Sequence, residues 1–381
     1  MPKTLRTLVV TNDFPPRVGG IQSYLRDFIG TQDPATITVF ASTQNTEEAR
    51  AYDATLDYEV IRWPRSVMLP SPTTAQAMVE IIKARDIDNV WFGAAAPLAL
   101  MAGAARQAGA SKIIASTHGH EVGWSMLPVS KDLLRKIGNE VDVITYISDY
   151  TLNRFQKAFG EQPEYRHLPS GVDIHTFQPS TDTQILNTRK AHGLEGETPV
   201  IVCISRLVPR KGQDSLIKAL PKVLKSFPTT QLLFVGSGPY EAKLRKLAAG
   251  LNKNVQFLGR LEHQEMVQIL AAADIFAMPA RTRGKGLDVE GLGIVYLEAQ
   301  ASGVPVVAGT SGGAPETLTA GTGVVVEGRD VEKLSEVLVD LLGKPQLRAE
   351  MGAAGRQHVE EKWAWEIMGQ RLHEILQGEP R

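Results

Sequence analysis

Two glutamates, Glu290 and Glu298, stand in the densest run of chemistry-bearing residues in the chain, Gly284-Lys285-Gly286-Leu287-Asp288-Val289-Glu290-Gly291-Leu292-Gly293-Ile294-Val295-Tyr296-Leu297-Glu298. The glycines let the backbone approach an anion, and a helix entered near Gly293 or Ile294 turns unpaired first-turn amides toward it. Glu290 then lies just before the helix. Glu298 falls about one turn inside it, where it can accept hydrogen bonds from a pair of sugar hydroxyls. A carboxylate near a helix start also serves as a plain complement to the helix dipole.

Arg206-Leu207-Val208-Pro209-Arg210-Lys211-Gly212 follows a strand-like run and brings three cations to one turn, a clamp suited to a diphosphate. The bland alternative is a solvated basic turn. Near the start, Asn12-Asp13-Phe14-Pro15-Pro16-Arg17-Val18-Gly19-Gly20 precedes a helix at Ile21, a second place where backbone can meet an anion or simply turn. Thr310-Ser311-Gly312-Gly313-Ala314-Pro315-Glu316 is a further glycine-rich helix entry. None of these loops has the spaced three-glycine dinucleotide pattern, Gly236-Ser237-Gly238-Pro239-Tyr240-Glu241 included, and none ends in Gly-Lys followed by Ser or Thr. Nicotinamide and P-loop chemistry are disfavoured. His118 and His120 alternate by two and would share a face of a strand, yet spacing offers no third metal ligand. Asp86-Ile87-Asp88 imitates a metal-binding pair of aspartates but falls in a helix-to-strand connection away from the glycine loops.

These loops need strands to carry them. Apolar β-branched runs predict strands at Leu5–Thr11, Ile37–Ala41, Tyr58–Arg62, Val90–Phe92, Lys112–Ser116, Val143–Ile147 and Tyr165–Leu168. Helical periodicity lies between them at Ile21–Ile29, Thr74–Arg85, Leu98–Gln107, Asp132–Ile137 and Tyr150–Phe159. After a breaker-rich stretch the alternation restarts, with strands at Val200–Ser205, Gln231–Val235, Val255–Leu258, Ile275–Met278, Val304–Ala308 and Val324–Val326. Helices are predicted at Ser215–Lys225, Tyr240–Ala249, Gln264–Ala272, Ile294–Ser302 and Val331–Leu342. Strand–helix alternation predicts parallel sheets covered on both faces, with ligands at the carboxyl ends of the strands. The expected organisation is α/β: a doubly wound domain over 1–169, a hinge over 170–198 and a second such domain over 199–363.

Composition agrees with that plan. The 381 residues are 43% hydrophobic and 22% charged, with a net charge of −1, as in a soluble globular protein of about two domains. Each half is close to neutral, which argues against a dedicated nucleic-acid binder. The one cysteine, Cys203, excludes a disulfide framework and sits in a run that reads as a buried strand. The first residues do not have a signal-peptide layout, and the apolar stretch 92–105 is too short to span a bilayer, so a cytoplasmic protein is expected.

With these residues assembled, the sequence resembles a retaining glycosyltransferase of family 4, whose marker of two glutamates separated by seven residues is matched by Glu290 and Glu298. Thr11–Gln22, Ser116-Thr117-His118-Gly119-His120-Glu121 and Pro279-Ala280-Arg281-Thr282-Arg283 resemble, within it, the actinobacterial GDP-mannose-dependent phosphatidylinositol-monomannoside α-(1→6)-mannosyltransferases. The resemblance implies a GT-B fold, two Rossmann-like domains facing a central cleft. It implies a last helix over about 364–381 packing back on the first domain, where Trp363 and Trp365 read as packing residues. It further implies that Arg206 and Lys211 hold the donor diphosphate, Ile294 and Val295 present amides to it, Glu298 holds the ribose and Glu290 the sugar. His118 would contact the donor sugar near the reacting centre, and Gly19 and Gly20 would line the phosphate and acceptor side. GDP-mannose is then a substrate, a phosphatidylinositol-mannoside lipid the acceptor, and neither cofactor nor metal is expected. A monomer or weak dimer is expected, working peripherally at the inner face of the cell membrane. Rival readings are a family member using a UDP-sugar or another acceptor, a sugar-nucleotide epimerase or hydrolase, and a non-catalytic nucleotide-sugar-binding protein.

A lipid acceptor calls for a membrane-facing surface. Arg62-Trp63-Pro64-Arg65-Ser66-Val67-Met68-Leu69 and Gly123-Trp124-Ser125-Met126-Leu127-Pro128, the second followed by Lys131, Arg135 and Lys136, mix apolar side chains with cations as anionic headgroups require. The alternative is that Trp63 and Trp124 pack on their own domain.

Overall fold

Seven parallel strands form one sheet and six another. The computed structural model describes residues 4–194 and 196–378; positions 1–3, 195 and 379–381, which belong to the expected segments 1–169, 170–198 and 364–381, lie outside the described residues. Two compact units hold the sheets, Met1–Ser170 with Trp365–Arg381 in one and Gly171–Ala364 in the other.

In the first unit β1 (Thr7–Thr11), β2 (Ile37–Ser42), β3 (Glu59–Trp63), β4 (Asn89–Phe92), β5 (Lys112–Ser116), β6 (Val143–Tyr146) and β7 (Glu164–His167) lie in the order β3-β2-β1-β4-β5-β6-β7. Helices α1 (Gly20–Gly30), α2 (Thr46–Asp53), α3 (Pro72–Ala84), α4 (Ala102–Gln107), α5 (Glu121–Ser125), α6 (Pro128–Glu140) and α7 (Asp149–Phe159) connect them. Every residue of β1 and β5 is buried, as strands covered on both faces must be.

The second unit carries α8 (Asp182–Ala191), then β8 (Val200–Ile204), α9 (Gln213–Ser226), β9 (Gln231–Val235), α10 (Glu241–Leu247), β10 (Val255–Gly259), α11 (His263–Ala271), β11 (Ile275–Met278), α12 (Ile294–Ala301), β12 (Val306–Gly309), β13 (Gly323–Val326), α13 (Val331–Leu342) and α14 (Pro345–Lys362). Its strands run in the order β10-β9-β8-β11-β12-β13. In each sheet the strand order reverses once, between β1 and β4 and between β8 and β11, and a crevice opens at such a switch point.

The last helix, α15 (Trp365–Gln377), belongs to the first unit. The Trp365 ring meets Phe28 edge-on at 5.0 Å, and the Asn89 side chain donates to the Leu376 carbonyl at 3.0 Å. Lys112 donates to the carbonyls of Ile375 and Gly378, and burial lowers its pKa.

The strands match the expected runs within two residues at either end, while four helices were not anticipated. α2 buries only Ala49 and α8 buries nothing, so neither shows an apolar stripe. α5 has five residues, too few to display a period, and α14 is mostly polar. The stretch read as a hinge thus contains α8, started by a reciprocal cap between Thr181 and Gln184 and tied by Arg189 to Asp274 at 2.9 Å. The run expected to be helical over Leu98–Gln107 opens as a 3-10 turn, Leu98–Met101, before α4.

Candidate functional site

In the second unit both loops at the switch point carry predicted residues. β8 ends in an apolar core and releases Ser205 and Arg206; a 3-10 turn over Pro209–Lys211 follows, and Gly212 starts α9. Gly212 has φ +78°, and a Cβ there would strike the Pro279 carbonyl, so only glycine lets this turn lie against the loop after β11. Gln213 closes the turn by donating to Ser205 Oγ at 2.9 Å and to the Arg206 carbonyl at 3.1 Å. Arg206 is exposed, and among the described residues its guanidinium has no ion-pair partner. Lys211 is buried, its ammonium 2.6 Å from Glu290 Oε2. Arg210, the third cation expected to clamp an anion, is instead drawn to Asp288 at 3.4 Å and Glu290 at 3.8 Å.

Glu290 is held by its own backbone. Its N–H donates to Ser311 Oγ at 3.1 Å and its carbonyl accepts from Gly313 N–H at 3.0 Å, so the third glycine-rich loop supports the second. Gly293, at φ +87°, then turns the chain into α12, whose first residues are Ile294 and Val295. Their amides have no preceding turn to bond to and point out of the helix end. Glu298 sits one turn later, half-buried, and burial pushes its carboxyl up to about 7. Cations, free amides and two carboxylates therefore gather where the strand order reverses.

Sequence reading did not identify the brace behind this loop. Arg281 is buried, donating to Asp214 Oδ1 at 2.6 Å and Ser215 Oγ at 3.1 Å, while its N–H donates to the Arg210 carbonyl at 2.8 Å. Asp214 lies in the first turn of α9, three residues after Lys211. Arg281, one of two arginines flanking Thr282, carries no spacing signal, so only the fold reveals the pairing.

In the first unit His118 follows β5 and its Nε2 lies 2.7 Å from the Gly93 carbonyl after β4. A carbonyl only accepts, so Nε2 carries the hydrogen and the neutral ring keeps Nδ1 as an acceptor. Burial lowers the pKa of this imidazole and favours the neutral form. Tyr24 of α1 packs edge-on against it at 4.8 Å and donates its hydroxyl to the Leu168 carbonyl at 2.8 Å. Gly19 and Gly20 begin α1, one turn before Tyr24; no atom outside its chain neighbours lies within contact of a Cβ placed on Gly20.

Two expectations about surface residues change. Arg62 does not face outward: it grips Asp53 twice, at 2.9 and 2.6 Å, and donates to the carbonyls of Ser42 at 3.1 Å and Pro15 at 2.7 Å. Trp63 packs edge-on against Phe40 at 6.1 Å. Arg135 stays exposed, as expected, while donating to the Lys157 carbonyl at 2.6 Å. Exposed apolar side chains remain at Val67, Leu69, Met126, Leu127 and Val129, with Lys131 and Lys136 exposed beside the last three. No helix among the described residues is long and apolar enough to cross a membrane. Among the described residues no group of three or more His, Cys, Asp or Glu is placed to hold a metal ion. Asp88 accepts the Arg6 N–H at 3.0 Å, and Cys203 is buried with its thiol pushed up to about 12.

Residues 18–176 match the model of Glycosyltransferase Family 4, and residues 184–358 that of Glycosyl transferases group 1. The chain is 72% identical over 381 residues, 100% of both chains, to a Corynebacterium glutamicum GDP-mannose-dependent monoacylated alpha-(1-6)-phosphatidylinositol monomannoside mannosyltransferase. The chain belongs to glycosyltransferase family 4. A Mycolicibacterium smegmatis GDP-mannose-dependent alpha-(1-6)-phosphatidylinositol monomannoside mannosyltransferase is 53% identical over 376 residues, 97% of this transferase and 98% of that protein. Among solved structures, Anabaena Alr3699/HepE in complex with UDP superposes with a TM-score of 0.80 at 21% identity, covering 98% of the transferase and 99% of that chain. The likeness, with the two parallel sheets, establishes the GT-B α/β fold.

Proposed function

We propose that this transferase moves mannose from GDP-mannose to phosphatidylinositol monomannoside, forming an α-(1→6) linkage with retention at the anomeric carbon. The observation that carries the reading is the end-to-end identity of 72% with a protein named for that reaction. The first unit is the acceptor side and the second the nucleotide-sugar side, with 170–198 joining them.

Each role follows from the local chemistry. Arg206 and Lys211 bind the diphosphate together with the amides of Ile294 and Val295. Glu298 accepts from the ribose hydroxyls, Glu290 from hydroxyls of the mannose. His118 offers Nδ1 to a sugar hydroxyl such as the 6-hydroxyl, and Gly19 and Gly20 admit the acceptor and phosphates closely. The bond from the anomeric carbon to the phosphate oxygen breaks first, giving an oxocarbenium-like sugar. Charge collecting on the leaving diphosphate meets fixed cations and amides, which lower the barrier. The acceptor hydroxyl attacks the same face of the sugar, and its proton passes to the leaving phosphate. The membrane contact is the exposed stretch Met126–Val129 with Lys131 and Lys136, so the transferase works peripherally at the cytoplasmic face.

The test offers GDP-mannose and UDP-glucose separately to the purified chain, with and without phosphatidylinositol monomannoside, in EDTA. Acceptor-dependent mannose incorporation from GDP-mannose alone supports donor, acceptor and metal independence together. GDP binding without transfer rejects the acceptor, and donor breakdown without acceptor points to a hydrolase or epimerase.

A further inference from the structure

We infer that His120, backed by Glu121, binds the phosphodiester of the lipid acceptor; the inference rests on the acceptor reading above. Glu121 is completely buried at the start of α5. Its Oε2 accepts the N–H groups of His118 and Gly119, at 3.1 and 3.0 Å. Its Oε1 is buried too and accepts no hydrogen bond among the described residues. The group standing against that oxygen is the His120 Nε2, at 3.2 Å.

A carboxylate removed from water needs a compensating positive charge, and the group placed to supply one is His120. The His120 side chain is 40% exposed, so one edge of the ring faces the buried carboxylate while part of the ring stays open to solvent. The ring is also nearly parallel to that of His118, at 14°, with centroids 6.5 Å apart. The His120 ring is thereby fixed one sugar-ring width from the histidine assigned to the reacting sugars.

The residues that follow complete the pattern. Met126 lies six positions beyond His120, about 9 Å along a helical path. Met126, Leu127 and Val129 are 48%, 63% and 76% exposed. From His118 through His120 to Val129 the segment presents a hydroxyl acceptor, an imidazole backed by a buried carboxylate and an apolar surface. A glycosylated phosphoinositide presents sugar, phosphodiester and acyl chain in the same order. Of the other cations of this unit, Arg62 is saturated by Asp53 and two carbonyls, and Arg154 lies over the Tyr150 ring with a contact to Met126 Sδ at 3.8 Å, while Arg17, Lys131 and Lys136 are exposed and, among the described residues, have no buried carboxylate behind them.

The test compares two soluble acceptors at saturating GDP-mannose, a glycerophosphoinositol mannoside that keeps the phosphodiester and a mannosyl-inositol that lacks it. For His120→Asn, kcat/KM on the phosphodiester acceptor is expected to fall about tenfold, chiefly through KM, as the loss of one charge-assisted contact implies. The phosphate-free acceptor and the KM for GDP-mannose should change less than about twofold, within the spread of a removed neutral contact. His120→Lys restores the preference for the phosphodiester acceptor, a rescue that a purely structural role would not give. Equal losses on both acceptors, no change on either, or no rescue by lysine overturns the inference. Loss of the preference in Arg154→Gln but not in His120→Asn overturns it in favour of Arg154. If the unsubstituted chain binds GDP-mannose and uses neither acceptor, the acceptor reading falls and this inference with it.

Discussion

The ammonium of Lys211 stands 2.6 Å from Glu290 Oε2, with the two side chains 11% and 9% exposed. The pair joins the turn after β8 to the loop after β11 across the point where the strand order reverses. Both members are also proposed donor ligands, so a bound diphosphate competes with Glu290 for the cation, and sugar hydroxyls compete with Lys211 for the carboxylate.

Removing one member strands the other. Lys211→Met is expected to destabilise the fold by about 3–5 kcal/mol, whereas the double variant Lys211→Met/Glu290→Gln recovers most of that loss. Transfer falls in both, by about 10²–10³, because the leaving diphosphate loses its fixed charge. Denaturant titrations and initial rates check the two effects separately; equal stability of single and double variants would show that the pair is uncoupled.

Glu298 should make donor binding depend on pH. Its carboxyl titrates at about 7 against an ordinary 4.5, because burial disfavours the charge. Only the ionised form accepts from both ribose hydroxyls, so GDP affinity rises as pH climbs through 7. Stability runs the other way: the folded chain keeps a proton that the unfolded chain releases, so this group's contribution is full below 4.5 and is lost as pH rises toward 7. Calorimetric titration with GDP from pH 6 to 8 checks the first sign and denaturant titration from pH 4.5 to 7 the second, each on the unsubstituted chain and on Glu298→Gln, with titration of GDP itself common to the two.

The brace behind the donor loop is expected to act on the donor alone. Arg281→Met leaves Asp214 with the Lys218 ammonium at 3.6 Å as its remaining cation, and costs about 3 kcal/mol. The turn carrying Lys211 loosens, so KM for GDP-mannose rises more than KM for the acceptor. Steady-state kinetics with each substrate varied in turn measures the split, and Arg281→Lys, which keeps the charge but not the fork, recovers only part of it.

Arg62 and the Met126–Val129 stretch separate two jobs that share one composition. Arg62→Met should leave vesicle binding unchanged while costing about 1.5–3 kcal/mol of stability, since its hydrogen bonds to Asp53 are charge-assisted. Leu127→Ser with Val129→Ser should weaken binding to anionic vesicles by about tenfold or more and leave the melting curve in place. Co-sedimentation with phosphatidylglycerol vesicles reads both; weakened sedimentation of Arg62→Met would return that arginine to the surface.

Much of the fold is legible along the chain. Lys112–Ser116, Gln231–Val235, Ile275–Met278 and Val331–Leu342 carry the same bounds in the sequence reading and in the structure. An element that buries an apolar face writes its period into its own residues, so it is readable without neighbours. α8, with no buried residue, writes nothing and is missed. The loops proposed to hold the donor are legible for the same local reason, since glycine spacing and the helix entry at Ile294 lie within one segment.

The amino-acid sequence by itself thus determined which segments are strands, that two parallel sheets result, and which residue types crowd the loops at their carboxyl ends. Tertiary structure alone decided who meets whom. Lys211 finds Glu290 because β8 and β11 are neighbours in the sheet, Arg281 finds Asp214 across the same seam, and Arg62 is consumed by Asp53, Ser42 and Pro15. Ionic and hydrogen-bonded partners are selected by proximity in space, and strand order places side by side residues that the chain itself keeps apart.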